Sequence, residues 1–265
     1  MNGSMVIGQY VPGDSIVHRL DPRAKLATIF FFVIVVFFAN SVWSYGILTL
    51  FALVSAGVTQ IRPGFIIKGL KPVWFLVVFT FLLHLFVTRE GEVLFTVLSF
   101  PIYKEAVIQG LAISLRFFLL ILITSLLTLT TTPIAITDAI EELLHPLKKI
   151  RFPVHELALM MSISLRFIPT LMQETEKISK AQASRGVDFR TGPIKDRLKA
   201  IIPLLVPLFV SAFKRAEELA MAMEARGYQG GEGRTKIREL VFQKRDYATF
   251  LLFVIMVVGV FVTRS

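Results

Sequence analysis

Two short runs hold the side chains best suited to strong, directional polar contacts: Ser184-Arg185-Gly186 and Ala225-Arg226-Gly227. Their arginines lie forty-one residues apart, and on that alignment Glu176 falls on Glu217 and Ala181 on Ala222. A guanidinium offers a planar fork of donors that matches carboxylate and carbonyl oxygens two at a time. Glycine just past a helix end is the commonest C-cap, and a basic residue there suits the helix dipole, so one such run needs no function. Two copies closing two long helices shift the balance toward a paired contact surface, as a two-fold or pseudo-two-fold partner requires.

Bond-making chemistry has no comparable candidate. The four histidines, His18, His84, His145 and His155, are scattered without metal-ligand spacing, and His155-Glu156 opens a helix without the second histidine of a zinc motif. Glu141-Glu142 and Glu217-Glu218 read as charged helix faces, and no nucleophile–base pair stands out. The chain has no cysteine, which excludes disulfides, thiolate metal sites and thiol chemistry. No Gly-x-x-x-x-Gly-Lys-Ser/Thr phosphate loop occurs; Gly230-Gly231-Glu232-Gly233-Arg234 has neither its spacing nor its lysine and reads as a flexible loop. No cofactor is therefore expected. If the chain serves ATP-driven transport, a partner subunit must bind the ATP.

The elements that position the two runs are long amphipathic helices. The first spans about 154–184, with Leu157, Met160, Met161, Ile168, Leu171, Met172 and Ile178 at spacings of three and four. The second spans about 195–225, with Leu204, Leu205, Leu208, Phe209, Phe213, Leu219 and Met223. Pro169 in the first, and Pro203 and Pro207 in the second, each remove a backbone bond and should kink or segment the helix. Thr130-Thr131-Thr132-Pro133 starts a shorter amphipathic helix ahead of both.

The rest of the chain belongs to a bilayer. Of 265 residues 54% are hydrophobic, the mean hydropathy is +0.68, and the apolar residues come in blocks. Five spans are expected, at about 24–39, 43–60, 72–88, 106–129 and 247–262. They contain no Asp or Glu, so an ion-coupled carrier has no acidic relay. Arg116, inside the fourth span, either braces the packing of the spans or faces a subunit groove. The net charge of +10 fits basic flanks against anionic lipid, and nucleic acid is not an expected partner. Segment 1–20 lacks the basic start, apolar core and cleavage site of a signal peptide.

The connection 60–71 carries Arg62, Lys68 and Lys71 without an acid, whereas 88–105 sets Arg89 and Lys104 against Glu90, Glu92 and Glu105. The positive-inside rule puts the first connection inside, and with it the N-terminus and all of 130–246. Arg264, at the far end, is a mild exception. The expected fold is an all-α integral membrane protein with four parts. These are a cytoplasmic N-terminal segment (1–23), four transmembrane helices (24–129), a cytoplasmic domain of long amphipathic helices (130–246), and a last span with the C-terminus (247–265).

Several stretches resemble the EcfT/CbiQ family, the transmembrane scaffold of energy-coupling factor transporters for vitamins and metal ions. They include Leu20-Asp21-Pro22-Arg23-Ala24-Lys25, Leu129-Thr130-Thr131-Thr132-Pro133, Leu165-Arg166-Phe167-Ile168-Pro169-Thr170-Leu171, and the paired endings at Gly186 and Gly227. The resemblance is chain-long and implies a non-catalytic coupling subunit in a prokaryotic cell membrane. Arg185 and Arg226 would each dock on one subunit of an ATP-binding-cassette ATPase pair, and the amphipathic faces would hold a separate substrate-binding membrane subunit. Ser184 departs from the family's usual Ala, as small a residue. The match is slightly closer to a module shared among several binding subunits than to a dedicated metal transporter. The other readings open to the sequence are an integral membrane lipid enzyme and a stand-alone carrier.

Overall fold

Pro22 stands in the first turn of the first helix, and the Asp21 carboxylate accepts the Arg23 backbone N–H at 2.8 Å as its cap. In the computed structural model, which describes residues 10–97, 100–187, 194–230 and 240–264, this helix is α1, Pro22–Phe38. Ser41 caps α2, Val42–Val58. Then come α3, Pro63–Val87; the strands β1, Val93–Val97, and β2, Phe100–Tyr103; and α4, Lys104–Thr130. Helix α5, Pro133–Leu144, begins with Pro133 in its first turn and the Thr132 hydroxyl accepting the Ala135 N–H. A 3-10 turn, His145–Ile150, leads to α6, Val154–Ser184, and α7, Ile194–Ala225, and α8, Lys244–Val262, follows. The chain is an all-α membrane protein, and among the described residues the β-structure is one short antiparallel strand pair.

Two expectations need correction. The third helix starts nine residues before the expected 72, at Pro63, so most of 60–71 is its first turns and not a loop. Lysine is a good helix former and does not end a helix, whereas proline at a helix start was the better signal. The connection 88–105 is not open loop either. Strands β1 and β2 pair antiparallel, Val93 with Tyr103 and Thr96 with Pro101, and Lys104 N–H closes the pair on the Glu92 carbonyl at 2.9 Å. Gly91 enters it at φ +92°, where a Cβ would lie 2.6 Å from Glu105 Cγ.

The chain forms two compact units, Met1–Ala139 with Leu240–Ser265, and Ile140–Glu239. In the first, α1, α2, α4 and α8 enclose a core of Phe32, Val36, Leu48, Leu119 and Val260. Close approach depends on small residues. Gly110 faces Phe81 and His84 of α3, where an added Cβ would come within 3.2 Å, and Ser114 Oγ donates to the Val77 carbonyl at 3.2 Å. Ser44 Oγ ties α2 to the Val260 carbonyl of α8 at 3.3 Å. Outward, large apolar side chains lie bare, Phe75 at 77% exposure among them, as a lipid-facing surface requires. Three described helices, α4, α6 and α8, are long and apolar enough to cross a bilayer, with mean hydropathy 2.3, 1.2 and 1.9. Helix α2 and Val73–Val87 of α3 are shorter apolar helices.

The first and last spans are joined by a buried clamp built on Leu20-Asp21-Pro22-Arg23-Ala24-Lys25. Asp246, 1% exposed, accepts the Asp21 N–H at 2.8 Å and the Gln243 N–H at 2.7 Å. Arg23 forks onto Asp21 at 3.1 and 3.0 Å, donates to the Leu240 carbonyl at 2.6 Å and lies 4.3 Å over the Phe242 ring. Lys25 Nζ reaches the Thr130 carbonyl and Thr131 Oγ1, both at 3.1 Å. Two motifs a hundred residues apart in the chain thus meet at one end of the bundle. At the other end of α1, Arg116 donates to the Ala39 carbonyl at 3.2 Å and the Tyr45 hydroxyl at 2.8 Å, and faces the Phe37 ring at 5.4 Å. These contacts favour its bracing role over a subunit groove.

Candidate functional site: the paired Arg-Gly helix ends

Helices α6 and α7 end in the same geometry. At the first, Gly186 N–H donates to the Ala183 carbonyl and Val187 N–H to the Gln182 carbonyl, both at 3.0 Å. At the second, Gly227 N–H donates to Glu224 at 2.9 Å and Tyr228 N–H to Met223 at 3.0 Å. These are two Schellman motifs in the same register, with Gly186 at φ +86° and Gly227 at φ +73°. In each, the arginine is the residue between the helix end and the reversing glycine. Both arginines are exposed, and among the described residues neither guanidinium forms a hydrogen bond or ion pair. The Ser184 hydroxyl donates to the Lys180 carbonyl at 3.1 Å, so this departure from Ala is absorbed by its own helix.

Nothing lies within 4 Å of a Cβ built on either glycine, so a substitution there meets only backbone strain. Gly186→Ala and Gly227→Ala are each expected to destabilise the second unit by about 1–2 kcal/mol, the cost of a left-handed alanine. Thermal unfolding checks this. A neutral result at both positions would mean that the caps do not hold the arginines.

The prolines do not divide either helix; both run unbroken through Pro169, Pro203 and Pro207. Pro207 has no N–H for the Pro203 carbonyl, and the Gln182 side chain of α6 supplies a donor instead, at 3.3 Å. Further along, Glu174 accepts from Ser211 Oγ at 2.6 Å and from Arg215 at 3.1 Å. Beyond that, Tyr228 Oη meets His155 Nε2 at 3.4 Å, and His155 Nδ1 meets Glu141 at 3.1 Å. Contacts from Gln182–Pro203 through Glu174–Ser211 to His155–Tyr228 run in opposite order on the two helices, which makes them antiparallel. Arg185 and Arg226 therefore stand at opposite ends of the pair, about 40 Å apart at 1.5 Å rise per residue if the helices are straight.

The bridging residues Gln182, Ser211, Arg215 and Tyr228 were not singled out from sequence, because polar residues on a helix do not declare their partners. His155, read as isolated, is held between Glu141 and Tyr228. The Glu176–Lys180 pair at 2.6 Å keeps the Glu176 carboxyl below its ordinary range, but both side chains are exposed and the pair contributes little stability. Gly231–Arg234, read as a flexible loop, lies outside the described residues.

An apolar groove of about 290 Å³ lies between the helices, lined by Ile163, Phe167, Leu219 and Met223 among others. On α7 a stripe of Ile202, Leu205, Val206, Phe209, Val210 and Phe213 is uncovered, Phe209 at 60% and Phe213 at 73% exposure. Among the described residues no three His, Asp or Glu side chains gather as a metal site.

One chain thus joins an apolar helix bundle to a helix pair with duplicate Arg-Gly ends. The family model for CbiQ, described as a cobalt transport protein, matches residues 13–237. The chain is 61% identical to the energy-coupling factor transporter transmembrane protein EcfT of Bacillus subtilis (strain 168), over the full length of both. It is 54% identical to the EcfT of Exiguobacterium sibiricum over 94% of this chain and 95% of that one, and 53% identical to that of Brevibacillus brevis over 96% of each. The chain belongs to the EcfT/CbiQ family of transmembrane components of energy-coupling factor transporters.

Proposed function

We propose that the chain is the coupling subunit of an ATP-driven importer, linking two ATP-binding-cassette ATPase subunits to one separate membrane subunit that binds a vitamin or another micronutrient. The observation that carries this reading is the pair of identical caps presenting unpartnered arginines at opposite ends of one helix pair. Each arginine docks on one ATPase subunit and forms forked hydrogen bonds to its carboxylates or carbonyls. When ATP draws the ATPases together, the two ends are displaced relative to one another, and the rigid pair conveys that displacement to the subunit lying on it. The bare stripe from Ile202 to Phe213 suits that subunit, since a membrane protein offers an apolar face in return.

The chain binds no cofactor of its own and is non-catalytic; ATP is bound and hydrolysed by the partners. It crosses the cell membrane several times, with the N-terminus and 130–246 on the cytoplasmic side. Helix α6 is the least apolar of the three helices long enough to span, and Glu174, Glu176, Lys177 and Lys180 in its second half suit a position outside the hydrocarbon. Pro169, Pro203 and Pro207 let each helix change direction between its docking end and its membrane end while it still moves as one lever.

Proteoliposomes holding the chain, the ATPase pair and a binding subunit test the proposal. Uptake should require all three and ATP. Phe213→Asp, on the bare stripe, should reduce uptake and retention of the binding subunit at least tenfold while leaving ATPase recovery unchanged. ATP-driven uptake without this chain would end the proposal.

A further inference from the structure

We infer that the groove among α1, α2, α4 and α8 binds one anionic glycerophospholipid, with its phosphate on Arg245 and an acyl chain between the helices. The groove measures about 610 Å³, within the range of about 300–1,000 Å³ typical of small-molecule sites. Its walls are almost wholly apolar, with Phe51, Val54, Leu126 and Leu252 among them. It lies in the membrane unit and shares no residue with the helix pair, so it stands apart from the coupling surface.

Its polarity is one-sided. Lys25, Val58, Thr130 and Arg245 line one end, where α1 and α8 begin and α2 and α4 finish; Ile47 and Met256 line the other. From Arg245 to Met256 the groove follows α8 for about 16 Å at 1.5 Å per residue. That is the depth of one leaflet of a hydrocarbon core about 30 Å thick. A slot of that depth, almost wholly apolar and cationic only at one end, has the shape and polarity of a single lipid.

The charge at that end is available. Asp21 and Asp246, the two carboxylates nearby, are taken up by Arg23 and by backbone N–H groups. Lys25 spends its donors on Thr130, Thr131 and His18, leaving its charge but no free hydrogen. Arg245 is exposed and has no ion-pair partner among the described residues. A second observation comes from Thr28, which lines the groove one turn deeper than Lys25. Its hydroxyl is buried without a hydrogen-bond partner. Thr49, Thr80, Thr124, Thr128, Thr130 and Thr249 all donate to the carbonyl four residues back, so Thr28 stands out. One turn below the phosphate is where a glycerol ester offers carbonyl acceptors, and a turn of the Thr28 side chain about χ1 would bring this enclosed hydroxyl to such a carbonyl. A zwitterionic lipid would fill the groove equally well but set its own cation beside Arg245.

Native mass spectrometry of the full chain in mild detergent tests this, with equal amounts of phosphatidylglycerol and phosphatidylcholine of the same acyl chains. The wild type should retain phosphatidylglycerol about fivefold more often, the factor that one basic residue near an anionic surface supplies. Arg245→Gln should bring that ratio to about one. Lys244→Gln removes an equal charge from a neighbouring exposed residue outside the groove and should preserve the preference. Thr28→Val should lower total retention while keeping the preference. Equal retention of both lipids by the wild type overturns the inference. So does an equal loss from Lys244→Gln and Arg245→Gln, which would reduce the preference to general surface attraction.

Discussion

The chain carrying both Arg185→Ala and Arg226→Ala is expected to recover no ATPase pair in a detergent pull-down that succeeds with the wild type. Truncating one partner of a buried, charge-assisted contact costs about 2–5 kcal/mol. At about 1.4 kcal/mol per factor of ten, each arginine alone should weaken the complex roughly 30-fold or more. The caps make this a clean test. Both guanidiniums are exposed and unpartnered among the described residues, so their loss leaves the free chain's fold untouched. Arg→Lys at both positions should fall between the two, since lysine keeps the charge but loses the planar fork. Full recovery by the double alanine variant would demote both residues to helix caps.

The second large effect is on stability. Asp246→Ala removes the acceptor for two backbone N–H groups, of Asp21 and Gln243, at a site 1% exposed. Breaking a buried charged contact and stranding its partners costs about 3–5 kcal/mol. For a chain of this size that corresponds to a fall of roughly 10 °C in unfolding midpoint. Asp246→Asn keeps one carbonyl oxygen and should recover about half. The midpoint in detergent decides it, and a fall under about 2 °C for alanine would show that the clamp does not hold α1 to α8.

What was legible in the sequence was local. Helix α6 spans 154–184 as expected because Pro153 precedes it and Gly186 terminates it, each acting on its own few residues. Helix α7 differs from expectation by one residue at its start, and its end was marked by Gly227 in the same way. The duplicate Arg-Gly ends were readable as a repeat, and the identical bonding behind them follows from identical local chemistry. What stayed hidden was non-local. Asp246 looked like the edge of a span until the fold brought it 2.8 Å from the backbone of Asp21. The bond from Gln182 to the carbonyl that Pro207 leaves unpaired depends on how two helices align, which no spacing within either encodes. The early start of α3 and the hairpin at 93–103 were missed for a different reason: charge counting reports the membrane side of a connection and not its conformation.

In the proposed mechanism, ATP binding by the partners moves the two Arg-Gly ends relative to one another. The chain has no cysteine, so a single pair can be introduced for spin labels without background. Labels at Ala181 and Ala222, which are exposed one turn before each arginine, report the distance between the ends directly in the assembled transporter. The distance distribution should shift between the nucleotide-free and ATP-bound complexes, and should not shift when Arg185 and Arg226 are both alanine. The same distribution with and without ATP in the wild-type complex would contradict that mechanism.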